Sequence, residues 1–360
     1  MKKTLLATAI AGALGVTAAA QAATVYDQDG TKIDIYGRIA MGIAGGGPEY
    51  TSSGAYQDNG AEFVDAYSRL GLRLQHMVSS DLTAFGHLEW RFRADEAGNR
   101  NGNDFDAFSE TRQSYLGLRS NTWGTLQAGN FDSFYFQAVT KPFDNYVTEG
   151  FEFSGHASQS RGDSIGYITP KLNGFQAFLQ AKHYSERGEG ENSQRDEEIV
   201  AQGGVVYETG GLRLAAGFID DKAVAVRGAT SRFDTVSGTG NDEVRYGASA
   251  EYQFTPEFSA RLGYETRDQN DDYGDNNGWD RAGLGMTYAV NEWTFLADIY
   301  DIDPEVGSSQ TAWALGAMYD VSSNFDVFVE VFDSDIDVEE AGVQIDKDDV
   351  YWAVGARYHF

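Results

Sequence analysis

Arg38, Arg69 and Arg112 are the side chains whose type and spacing first point to chemistry. Each stands on the polar face of an alternating stretch: Arg38 with Asp34 and Tyr36, Arg69 with Asp65 and Tyr67, Arg112 with Glu110 and Ser114. A guanidinium keeps its charge at any physiological pH and shuttles no protons, so these residues offer a fixed positive field. On a water-facing wall such a field orders water and orients ions and dipolar solutes. The plainer role is cross-strand pairing with neighbouring carboxylates, and Glu110 makes it strongest at Arg112. At mid-depth in a bilayer, an arginine facing lipid would cost ~2–4 kcal/mol. On a membrane-spanning strand all three must therefore face inward.

Other constellations carry less. Residues 268–272 place oxygen-bearing side chains at positions 1, 3 and 5 of a calcium loop, but Tyr273 stands where glycine is needed and Trp279 where glutamate is needed. His76, His87, His156, His183 and His359 show no paired metal spacing. Neither a G-x-S-x-G nor a phosphate-binding loop occurs. The chain is expected to be no enzyme and to use no metal and no cofactor. With 55 acidic against 27 basic residues, it is not expected to bind nucleic acid.

The elements that position the arginines repeat from end to end. Val350, Trp352, Val354, Ala356, Tyr358 and Phe360 share one face, with Tyr351, Ala353, Gly355, Arg357 and His359 on the other. Residues 64–75 put Val64, Ala66, Leu70, Leu72 and Leu74 opposite Asp65, Tyr67, Arg69, Arg73 and Gln75. Residues 82–94 set Leu82, Leu88, Trp90 and Phe92 against His87, Glu89, Arg91 and Arg93, and residues 244–254 alternate likewise. Around 115–118 the alternation slips. In a soluble sandwich the apolar face would be the inside; in a membrane barrel it meets lipid. The connections separate the two. Short turns near 79–81, 121–124, 171–174, 210–211, 255–257, 290–292 and 322–324 alternate with long polar loops at 46–62, 95–108, 132–159, 186–197, 221–241, 268–278, 302–309 and 335–347. Seven turns and eight loops join 16 strands, so the fold class is all-β, a closed antiparallel transmembrane barrel with short turns on one rim and long loops on the other. About eight strands fill their own interior, whereas 16 leave an aqueous channel.

Lys2 and Lys3, a small apolar stretch and Ala20-Gln21-Ala22 are the marks of a secretory signal peptide over 1–22, with a single barrel domain at 23–360. Its removal takes the net charge from −28 to −30. Cysteine is absent, so no disulfide staples the fold. Tyr26, Trp90, Trp279, Trp293, Trp313, Trp352 and Phe360 read as interfacial girdle or lipid-facing wall.

Three stretches resemble the general diffusion porins of the Gram-negative outer membrane, the OmpF/OmpC type. Residues 23–38, ATVYDQDGTKIDIYGR, resemble that family's mature start; residues 353–360, AVGARYHF, its terminal strand; and residues 151–155, FEFSG, its loop-three motif Pro-Glu-Phe-Gly-Gly. The resemblance implies a homotrimer of 16-stranded barrels in the outer membrane, among lipid and lipopolysaccharide, with loop three folded inward. It also implies a basic constriction wall of Arg38, Arg69, Arg112 and Arg161, facing loop acids. Glu152 matches the loop's glutamate. The second acid falls near Thr148, with Glu149 beside it and Asp144 close. Phe151 replaces the proline and Ser154 a glycine, so the loop tip is expected to sit differently.

The function so implied is passive diffusion of small hydrophilic solutes and ions. The charge excess in loops and mouths predicts a cation preference, while balanced charge at the constriction would leave the pore nearly unselective. The rival expectation is a substrate-specific porin for an oligosaccharide or similar nutrient, which needs a file of inward aromatics. Tyr36 and Tyr67 are its inward candidates.

Overall fold

The alternating stretches become strands because every second residue suits hydrocarbon and the rest suit water. The computed structural model describes residues 22–47, 58–95, 110–148, 150, 153, 162–184, 198–221, 241–273, 277–334, 338–340, 343–345 and 350–360. Residues 1–21 of the expected leader lie outside the described residues, as do Glu149, Glu152 and Arg161.

The strands, in order, are β1 (Ala23–Gln28), β2 (Thr31–Gly45), β3 (Glu62–Asp65), β4 (Arg69–Met77), β5 (Leu82–Arg91), β6 (Glu110–Ser120) and β7 (Gly124–Asn130). After loop three come β8 (Asp163–Ile168), β9 (Phe175–Tyr184), β10 (Glu198–Thr209), β11 (Leu212–Asp221), β12 (Glu243–Gln253) and β13 (Phe258–Arg267). The wall is completed by β14 (Trp279–Val290), β15 (Trp293–Pro304), β16 (Gln310–Ser322), β17 (Phe325–Ser334) and β20 (Tyr351–His359). A separate hairpin, β18 (Val338–Glu340) and β19 (Val343–Ile345), lies in the last long loop.

Apart from β3 and β4, which both pair with β2, each wall strand pairs antiparallel with the wall strands next to it in the chain, and β2 closes the ring. One edge of β2 takes β4 beside residues 31–38 and β3 beside 41–44; the other takes β1 beside 31–35 and β20 beside 38–45. β3 with β4, and β1 with β20, thus each fill one position, and the barrel has sixteen. Phe360 locks the seam: its backbone exchanges hydrogen bonds with Gly37 at 2.8 and 3.1 Å, and its ring occupies the space a side chain at 37 would need. The seven short turns fall where the sequence places them, and an eighth that it did not give, Asp29–Gly30, joins β1 to β2. Asp81 ties two short turns together, accepting from Ser120 Oγ at 2.5 Å and Asn121 N at 3.0 Å.

The faces are inverted relative to a soluble protein. On β13, Leu262 is 57 % exposed while neighbouring Arg261 is 2 % exposed. Leu284, Ile299, Val329 and Val354 lie on the exposed face, whereas Asp298, Glu330 and Arg245 are buried within. No helix is long and apolar enough to cross a membrane among the described residues; the crossing is by strands.

Three expectations need correcting. First, residues 64–75 are not one continuous alternation. The chain breaks at Tyr67, whose φ is 68°, so Val64 and Ala66 pack inward toward Ala40 and Val147, Asp65 stands beside Met41 on the outer face rather than with Arg69, and Leu70, Leu72 and Leu74 remain outside. Second, Arg112 and Ser114 do not share a face. Glu89 pairs with Gln113 and Trp90 with Thr111, a bulge that leaves Arg112 as an extra residue and turns both Arg112 and Gln113 inward. Past it the alternation over 115–118 is regular, with Leu116 and Leu118 exposed. Third, Trp279 belongs to neither girdle nor lipid face: it is buried on the inner wall among arginines.

Candidate functional site

Strand register assembles the arginines. Arg38 on β2 pairs with Arg69 on β4, which pairs with Arg91 on β5, so three like charges stand side by side on the inner wall. Like charges directly opposite one another repel, and two devices offset this. Glu89, one register step away on β5, takes Arg112 in an ion pair, lies 3.6 Å from Arg69 Nη1 and accepts from Tyr36 OH at 2.7 Å. Arg91 lies 4.5 Å over the Tyr67 ring, and Arg38 Nε donates to Tyr67 O at 3.0 Å. The left-handed backbone at Tyr67 therefore serves the cluster. Arg112 also reaches Asp132, at 3.6 Å, where loop three begins.

Of the expected site residues, the structure brings together Arg38, Arg69 and Arg112. Asp144 caps the 3-10 turn Lys141–Phe143 and binds Lys141 Nζ at 2.6 Å, and Lys141 lines the same cavity as Arg69 and Arg112. Glu89 and Asp132 were not singled out from the sequence as site acids. The inward position of Glu89, between the strands of Arg69 and Arg112, was the signal that could have found it. Among the described residues no group of three His, Asp or Glu comes together to hold a metal ion.

Loop three, residues 131–162, lies inside the barrel over its described part. Inward polar side chains of the far wall grip its backbone. Gln180 and Gln202 accept from Phe134 N and Tyr135 N at 2.9 and 3.0 Å, Arg213 donates to Ala138 O at 2.6 Å, and Glu330 accepts from Val147 N and from Thr148 N at 2.9 Å. Tyr135 OH reaches Glu265 at 2.6 Å, and Tyr300 OH reaches Gly150 O at 3.0 Å. These contacts run from β9 to β17. The β2–β6 wall with its arginines and the first half of the loop together line a cavity of about 560 Å³, while Val147 of the loop packs against Ala40, Ala44 and Ala66.

A family model of Gram-negative porins matches residues 7–339. The chain belongs to that family. It is 30 % identical over 313 residues to the monosaccharide porin of Halomonas sp., covering 83 % of this chain and 78 % of that protein. Salmonella typhi OmpF, solved in complex with daunomycin, gives a TM-score of 0.69 at 17 % identity over 94 % of this chain and all of the other. The anion-selective porin of Comamonas acidovorans gives 0.68 at 20 % identity, over 92 % of this chain and all of that one. These two structures share the fold. This porin is a channel protein of the outer membrane, crossing it as a β-barrel, and the proteins of its family are channels rather than enzymes.

In this porin, two glycines let loop three lie flat. The Phe143 and Phe153 rings stack at 4.5 Å, and a Cβ at Gly263 or Gly283 would come within 2.6 or 2.5 Å of them. Gly283→Leu is therefore expected to push the loop toward the lumen and lower single-channel conductance, read in a planar bilayer. An unchanged conductance with a folded barrel would show that the loop does not bound the passage.

Proposed function

We propose that this porin is a general diffusion pore for small hydrophilic solutes and ions, preferring cations. In it Arg38, Arg69, Arg112 and Arg161 form a basic wall facing Glu149, Glu152 and Asp144 of loop three. The observation that carries this reading is the position of the loop's described part, gripped against β9–β17 and sharing a cavity with Arg69 and Arg112. Charges on opposite sides of a narrow aqueous passage set up a transverse field that a large apolar solute must disturb. The net charge of −28 supports cation preference, because acidic mouths raise the local cation concentration. The fold alone does not decide this, since the anion-selective porin of Comamonas acidovorans shares it. Reversal potentials across a KCl gradient are the test. A cation-selective sign is expected, and an anion-selective sign overturns the charge argument.

A saccharide channel is the second reading, drawing on the name of the Halomonas relative. It also draws on a run of interior rings, Tyr36, His87, Tyr115, Phe131, Phe134 and Phe178, each 5.1–6.3 Å from the next. Three of these rings, Phe131, Phe134 and Phe178, are packed into the root of loop three, which favours the general pore. We further propose a homotrimer, embedded among lipid and lipopolysaccharide, with no enzymatic activity.

A further inference from the structure

We propose that the cavity between β4–β7 and the first half of loop three is a saturable site for small hydroxylated carboxylates, sugar acids being the type. This rests on the reading of the barrel as an open pore. Its volume, about 560 Å³, lies within the ~300–1,000 Å³ of small-molecule sites.

The lining charges are unequal. Arg69, Arg73, Arg112 and Arg119 line the cavity against two carboxylates, Glu89 and Asp132, while Lys141 on the same lining is paired with Asp144. Both carboxylates are already engaged: Glu89 by Arg112, Arg69 and Tyr36, and Asp132 by Gln113 Nε2 at 2.9 Å and Arg112. Arg73 and Arg119 have no carboxylate within 4.0 Å among the described residues. Each instead lies over a ring, Arg73 at 4.2 Å from the Tyr36 centroid and Arg119 at 5.0 Å from that of Phe85.

Stacking fixes the guanidinium plane and covers a face, while the N–H edge is the part that receives a carboxylate through two parallel hydrogen bonds. Gln75, Gln127 and the Tyr115 hydroxyl, on the same lining, can bond hydroxyl groups. A neutral sugar has nothing to offer the guanidiniums, and a cation is repelled. Arg119 is one residue from the end of β6, so the site lies on the short-turn side of the Arg69–Arg112 cluster. In a porin whose net charge disfavours anions, this cavity is where an anionic nutrient would be held.

Planar-bilayer recording with glucuronate added on the short-turn side tests this, each protein's own current in KCl serving as its reference. Wild type is expected to show saturating block by glucuronate and none by glucose. R73Q/R119Q is expected to raise the half-blocking concentration about tenfold or more. Equal block by glucose, or equal glucuronate block in the variant, overturns the site. Calorimetry of detergent-solubilised wild type with glucuronate needs no variant: saturable heat is expected, and its absence overturns the site. A chain that conducts without glucuronate block disproves only the site, whereas one that never conducts disproves the pore.

Discussion

Asp221→Ala is expected to lower the stability of the barrel by ~3–5 kcal/mol, the magnitude for removing one partner of a buried ion pair. The Asp221 carboxylate binds Arg245 and takes Arg267 Nη1 at 2.6 Å, and all three side chains are 3 % exposed or less. Asp221 is the carboxylate that binds both of these cations, which water hardly reaches, while buried Glu265 adds its charge from nearby. The Trp279 ring adds to the cluster, with the guanidiniums of Arg245, Arg267 and Arg281 at 5.1, 5.4 and 4.1 Å from its centroid, but a ring face cannot replace a full negative charge. The loss should also loosen the loops above. Asn241, next to this cluster, holds Asp268 O and Asn277 Oδ1 at 2.8 and 2.7 Å. Urea titration of barrels refolded into lipid vesicles measures the effect, and Asp221→Asn, which keeps an acceptor oxygen, should lose less. A midpoint equal to wild type for Asp221→Ala would mean that Glu265 or water, rather than Asp221, compensates the two arginines.

Glu89→Gln is expected to move the pore toward anions. Glu89 is the carboxylate at the centre of the basic cluster, and the amide keeps an acceptor for Tyr36 OH while giving up the charge that balances Arg69 and Arg112. A unit charge acting on an ion at ~4 Å in water is worth ~1 kcal/mol, or about a fivefold change in the permeability of the cation and the opposite change in that of the anion. Arg69→Gln should shift the cation-to-anion ratio by a similar factor the other way. Reversal potentials of wild type and both variants in one KCl gradient check this. Shifts of the same sign in the two variants, or none, would place Glu89 and Arg69 away from the ion path.

Much of the wall was legible because a barrel strand has only two faces, and a charged residue on one announces the inside. Arg38, Arg69 and Glu89 fall on the predicted polar faces, and the turns and loops lie where the breaks in alternation place them. The misplacements share one cause: alternation read locally cannot see register. The inserted residue at Arg112 changes the parity downstream and hides Ser114 on the outer face. The left-handed backbone at Tyr67 does the same to Ala66. Trp279 was misplaced because tryptophan is usual at membrane interfaces, and nothing in its neighbourhood of sequence shows that Arg245 and Arg267 come from other strands to surround it. Loop three was legible as a long connection at 132–159, but its inward fold only by resemblance. Its grip on the wall depends on Gln180, Gln202, Glu265 and Glu330, which are far away in sequence and individually unremarkable as inward polar residues.

The central claim is that the charged face surrounds water and the apolar face meets hydrocarbon. The absence of native cysteine allows a clean measurement: Thr125→Cys and Leu126→Cys place single thiols on adjacent residues of β7 that face opposite ways. In protein reconstituted in lipid vesicles, a charged, membrane-impermeant thiol reagent is expected to label residue 125 and reduce conductance, leaving 126 to a lipid-soluble maleimide. Rapid labelling of 126 by the charged reagent with 125 protected would contradict the account.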